Sequence, residues 1–108
     1  MGGNLLKGSI PNEFGNLINL NYVVFNSNSL SGPIPESFWN LPWTAIHLRG
    51  NSLSGDLDKL KIKNLSKFKQ LDLAGNSFTG ALPREIEKSE EITYLAINHN
   101  NHYLDDVD

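Results

Sequence analysis

Residues 25–41 read "FNSNSLSGPIPESFWNL", and the phrase "SGPIP" within them decides the fold. Partial copies occur in "KGSIP", ending at Pro11, in "SGDLD", ending at Asp58, and in "TGALP", ending at Pro83. An asparagine leads into each phrase: Asn4, Asn28, Asn51 and Asn76, with Asn100 after a similar lead-in. Their intervals are 24, 23, 25 and 24 residues. A steady internal period of this length marks stacked repeat units.

Apolar residues keep register with each asparagine. Eight, five and three positions before it stand Leu20, Val23 and Phe25, then Trp43, Ile46 and Leu48. Phe68, Leu71 and Leu73 follow, and finally Ile92, Leu95 and Ile97. After each asparagine come Leu6-Gly8-Ile10, Leu30-Gly32-Ile34, Leu53-Gly55-Leu57 and Phe78-Gly80-Leu82, two, four and six positions on. Val23 and Phe25 are two apart, so both face one side of an extended strand. One such strand per coil predicts a parallel sheet with strands about 4.8 Å apart. No coil buries its apolar side alone. Stacking does so, and each Leu- or Ile-sized side chain contributes about 1.5–3 kcal/mol.

The asparagine column has a different task. Where the chain leaves the strand, backbone groups lose their sheet partners. An Asn amide offers two donors and one acceptor oxygen to satisfy them from coil to coil. Glycine permits the tight backbone that follows, and proline fixes φ and donates no hydrogen bond. "SGPIP" therefore reads as the corner and irregular return of a coil.

The period and pattern resemble the plant-type leucine-rich repeat, LxxLxLxxNxLxGxIPxxLxxLxx, over residues 4–100. The resemblance implies an α/β repeat solenoid with a parallel β-sheet on the concave face and irregular or 3-10 convex segments. Residues 1–108 read as one segment of about four 24-residue coils, the first and last incomplete. It also implies a protein- or peptide-binding module of the kind found in plant receptor-like kinase ectodomains. That would be extracellular or at the cell surface if part of a plant receptor. The alternatives are an inhibitor of a cell-wall hydrolase, similar to the polygalacturonase-inhibiting proteins, and a structural, assembly or ice-binding segment. Mixed outward columns argue against an ice lattice.

Composition is consistent with that reading. The chain has 108 residues, 39% apolar and 19% charged, with net charge −3. This is one domain's worth of chain. An acidic balance points away from nucleic acid. No apolar run approaches the roughly 18 residues of a membrane span, so membrane insertion by this segment is not expected. The absence of cysteine removes disulfides, thiol chemistry and cysteine metal sites. "MGGNLLKGSIP" shows no signal-peptide pattern.

The outward strand residues form the expected recognition face. The candidate ligand-binding residues are Tyr22, Val24, Asn26, His47, Arg49, Gln70, Asp72, Tyr94 and Asn98. Tyr and Arg are frequent interface anchors. His47 and Asp72 fall in one column on adjacent strands, which suggests a hydrogen-bonded pair. Ser27 lies in another column, so a Ser–His–Asp nucleophile is not expected. No catalytic residue, cofactor or metal is assigned. His99, His102, Asp105 and Asp106 are metal ligands by type, but read as a solvated set.

The third coil departs from the pattern. Asp58 replaces proline, and Lys59, Lys61, Lys63, Lys67 and Lys69 crowd one stretch. The plain reading is a solvated outer face; the functional one is a basic docking patch. Asn64-Leu65-Ser66 is a glycosylation sequon, of consequence only in a secreted chain. Open coil ends expose strand edges, so self-association through them is a further expected partner mode.

Overall fold

In the computed structural model, which describes residues 7–98 and 100, the strands are β1 (Lys7–Gly8), β2 (Tyr22–Val24), β3 (Ser29–Pro33), β4 (Ala45–His47), β5 (Ser52–Asp56), β6 (Gln70–Asp72), β7 (Ser77–Thr79) and β8 (Tyr94–Ala96). Two single-turn helices, α1 (Glu36–Trp39) and α2 (Arg84–Glu87), lie on the returns. Three 3-10 turns, Asn12–Asn16, Leu57–Lys59 and Leu65–Lys67, accompany them.

Strands β2, β4, β6 and β8 form one parallel sheet in that order. The register follows the repeat: Val23, Ile46, Leu71 and Leu95 pair in one inward column. Val23, Ile46 and Leu71 are buried, whereas Leu95 is 39% exposed at the last described strand. Behind the sheet lies one continuous core. Leu48, Leu53, Phe68 and Leu73 are fully enclosed in it. Trp43 packs on Phe38 with ring centroids 4.6 Å apart, and its Nε1 donates to Phe38 O at 2.6 Å.

The Leu-x-Gly segments differ from the expectation of an irregular corner. β1, β3, β5 and β7 make a second four-stranded parallel sheet. Stacking lays these segments side by side, two residues out of step with the repeat, and their free backbone groups then pair. Gly32 aligns with Leu53, and Gly55 with Phe78. Gly80, with φ +79°, turns the chain out of β7. A Cβ there would run into Asp56 Oδ1. Gly15 serves close approach instead. A Cβ at Gly15 would lie 2.6 Å from Ser37 Cβ, where the first 3-10 turn meets α1.

The asparagine column does what its amides suggest. Asn51 Oδ1 accepts from Leu30 N at 3.1 Å, and Asn51 Nδ2 donates to Phe25 O and Leu48 O at 2.8 and 3.0 Å. Asn76 repeats this one coil on, with Leu53 N, Leu48 O and Leu73 O. Asn100 does so with Phe78 N, Leu73 O and Ile97 O. Each side chain thus satisfies groups of its own coil and of the preceding one. Asn4 lies outside the described residues.

In coil three, Asp56 and Asp58 take the place of the proline. Asp56 Oδ1 accepts from Asp58 N at 3.0 Å and caps the turn at Leu57–Lys59. Asp58 Oδ1 accepts from Ala81 N at 3.0 Å and ties that turn to the next coil.

Candidate ligand-binding face

The alternation that turns Val23, Ile46, Leu71 and Leu95 inward turns two other columns outward. Tyr22, Ala45, Gln70 and Tyr94 share one, and Val24, His47, Asp72 and Ala96 the other. Arg49, two residues past His47, projects from the strand's continuation toward Asp72.

Three side chains form a closed polar group. Arg49 Nε donates to Asp72 Oδ2 at 2.8 Å. Arg49 Nη2 donates to the Tyr94 hydroxyl oxygen at 3.0 Å, and that hydroxyl donates to Asp72 Oδ2 at 3.3 Å. Asp72 Oδ1 accepts from Ala74 N at 3.2 Å. The Asp72 side chain is only 5% exposed, while Arg49's is 44% exposed. The hydrogen bond to Asp72, then that to Tyr94, and the charge of Asp72 raise the guanidinium's pKa further above its usual value. The charge is fixed, its orientation is set, and one edge of the guanidinium remains open to a partner.

His47 lies between two phenol rings. Its ring centroid is 6.0 Å from Tyr22's and 6.2 Å from Tyr94's, the latter pair stacked at 24°. His47 Nε2 stands 2.7 Å from Gln70 Oε1, a hydrogen bond in which the ring nitrogen carries the proton. The expected His47–Asp72 bond is therefore not the one formed. The two residues do share a column, but both reach diagonally to longer neighbours, and Arg49 and Tyr94 take up the Asp72 carboxylate.

The remaining candidates divide. Tyr22 and Tyr94 are exposed, Val24 and Gln70 half-buried, and Asn98 exposed. Asn26 is structural: its Oδ1 accepts from Arg49 N at 3.0 Å and holds that strand extension in place. Asp72 orients its neighbours from below. Tyr22, His47, Arg49 and Tyr94 thus stand together on the outward surface of this sheet.

One pair went unread in the sequence. Lys69 Nζ bonds Glu91 Oε1 at 2.7 Å at the edge of this face. That bond holds the Glu91 carboxyl below its usual pKa. Their spacing is not a coil length, so the repeat pattern carried no signal for it. Lys59, Lys61, Lys63 and Lys67 are exposed, as a solvated outer face requires. Ser66 Oγ donates to Asn64 Oδ1 at 2.6 Å within the sequon, and both residues are exposed. Among the described residues no three His, Asp or Glu side chains group as a metal site. His99, His102, Asp105 and Asp106 lie outside the described residues. No described helix is long and apolar enough to cross a membrane.

The family model for the leucine-rich repeat matches residues 19–41 and 67–89. Receptor-like protein 39 of Arabidopsis thaliana is 35% identical over 101 residues, which is 91% of this chain and 11% of that protein. The Arabidopsis receptor kinase HAESA, solved in complex with the peptide hormone IDA and the co-receptor SERK1, superposes with a TM-score of 0.84 at 31% identity. That match covers 94% of this chain and 17% of HAESA. The plant peptide hormone receptor RGFR1, solved with RGF2, gives a TM-score of 0.80 at 31% identity over 92% of this chain and 16% of the receptor. The chain spans about a tenth of the length of the curated relatives it matches.

Proposed function

The chain is built of plant-type leucine-rich repeats, and on that premise we propose that it is a protein- or peptide-binding segment of an extracellular or cell-surface recognition protein. It binds by surface complementarity, without turnover. The observation that carries this reading is the preorganised outward face. Arg49 is held by Asp72 and Tyr94, and His47 lies between Tyr22 and Tyr94, stacked on the latter. Such a face presents rigid aromatic and guanidinium anchors that lose little side-chain freedom when a partner docks. An extended peptide crossing β2, β4, β6 and β8 would meet all four anchors in turn. The complexes of HAESA and RGFR1 with peptide hormones support the ligand class.

Selection from a peptide display library tests it. Peptides enriched on the native chain lose at least about tenfold in affinity on the His47→Ala and Tyr94→Ala variants, some 1.4 kcal/mol. Undiminished binding by both variants would place the contact elsewhere and defeat the proposal.

A further inference from the structure

A cavity of about 270 Å³ opens on the return side of the solenoid, between coils two and three, and shares no residue with the outward face of the first sheet. We infer that this cavity binds one pyranose ring of a neutral saccharide.

The cavity arises from a mismatch between successive returns. Coil two turns through Pro35 into α1. Coil three lacks that proline, turns as a 3-10 segment at Leu57–Lys59, and leaves extended at Leu60, with φ −70° and ψ 133°. Two returns of different shape do not nest, and the gap stays open between Trp39 on one side and Leu57 and Leu60 on the other. At about 30 Å³ per water the gap would hold about nine water molecules. That volume suits one six-membered ring with its hydroxyls.

The lining matches such a ring in chemistry. Trp39 offers an aromatic surface whose electron-rich face attracts the polarised C–H bonds of a pyranose. Glu36 lies one helical turn before Trp39, on the same face of α1. Glu36 and Asp56 offer carboxylate oxygens that accept strong hydrogen bonds from hydroxyls, and Lys59 offers N–H donors to ring or hydroxyl oxygens. The loop carrying Asp56 and Lys59 is already fixed, through Asp56 to Asp58 N and Asp58 to Ala81 N. Two carboxylates beside one ammonium repel an anionic sugar, and Lys59 opposes a simple organic cation. A neutral polyol with an apolar ring face satisfies both signs.

Saturation-transfer NMR on the whole chain tests the site, with methyl α-mannoside, methyl β-glucoside and N-acetylglucosamine as probes. We expect transfer from the protein to ring C–H protons of at least one sugar, with affinity in the millimolar range. Trp39→Ala should weaken it at least about tenfold, or about 1.4 kcal/mol. Because Trp39 also packs on Phe38, Glu36→Gln serves as a second variant on an exposed residue and should weaken binding severalfold. His47→Ala and Tyr94→Ala should leave the sugar signal unchanged, so this site fails or stands apart from the peptide face. No transfer from any of the three sugars, transfer unchanged in both cavity variants, or preferential transfer to galacturonate or n-butylammonium would each overturn the inference.

Discussion

Arg49, just past β4, and Asp72 on β6 are joined at 2.8 Å, and the same carboxylate also accepts the backbone N–H of Ala74. Asp72 therefore serves the outward face and the chain's exit from β6 together. Asp72→Ala leaves the buried Ala74 N–H without its acceptor and should cost about 1–3 kcal/mol of stability. Asp72→Asn retains an acceptor oxygen and should cost less. Urea denaturation of the two variants checks the order, and equal losses would detach the Ala74 bond from stability.

The asparagine column makes a sharper demand. Asn76 accepts from Leu53 N and donates to Leu48 O and Leu73 O. Asn76→Ala leaves the buried Leu53 N–H without its acceptor, at about 1–3 kcal/mol, while Leu48 O and Leu73 O keep their bonds from Asn51 and Asn100. Asn76→Asp keeps the acceptor but cannot donate when ionised, so at neutral pH it should be no milder. A thermal melt of Asn76→Asp as high as the native chain's would refute this.

Position along the stack grades the core. Leu71 is fully buried, while Leu95 in the same column is 39% exposed. Leu71→Ala should lose about 2–5 kcal/mol. Leu95→Ala should lose well under half of that. Paired chemical denaturation curves give the ratio directly.

Gly80 is set by conformation and by space. With φ +79° and Asp56 Oδ1 in the path of a Cβ, Gly80→Ala should cost about 1–3 kcal/mol. It should also loosen the turn at Leu57–Lys59, which amide exchange at Asp58 reports. Unchanged stability with unchanged exchange would rule this out.

The pair of Lys69 and Glu91 predicts a pH dependence of definite sign. The folded state depresses the Glu91 pKa through the Lys69 hydrogen bond and charge. Its contribution is present above the unfolded carboxylate pKa and is lost as pH falls through the lower folded one. An NMR titration should find Glu91 below the ordinary glutamate range, and Lys69→Ala should return it there. The effect on stability is small, since both groups are exposed and screened.

Much of this structure was legible from period alone. The column of Val23, Ile46, Leu71 and Leu95 follows from alternation within each strand and a near-constant coil length, and so do the bonds of Asn51 and Asn76. The second sheet was not legible, because Gly8, Gly32 and Gly55 disfavour strands locally. Stacking of successive coils, with a two-residue shift, overrides that preference. The outward face was legible as a set of residues but not as a set of bonds. Register places His47 beside Asp72, yet side-chain length and rotamer choice send His47 to Gln70 and Arg49 to Asp72. The cavity beside Trp39 depends on two returns failing to nest, which no single coil's sequence displays.

The backward reach of the asparagine amides gives assembly a direction. Leu30 N in one coil donates to the side chain of Asn51 in the next, as Leu53 N does to Asn76. A chain leaving the ribosome N-terminus first cannot complete a coil until the following asparagine has emerged. Growth then proceeds as a ratchet, each new coil sealing its predecessor while its own seal is still to be synthesised.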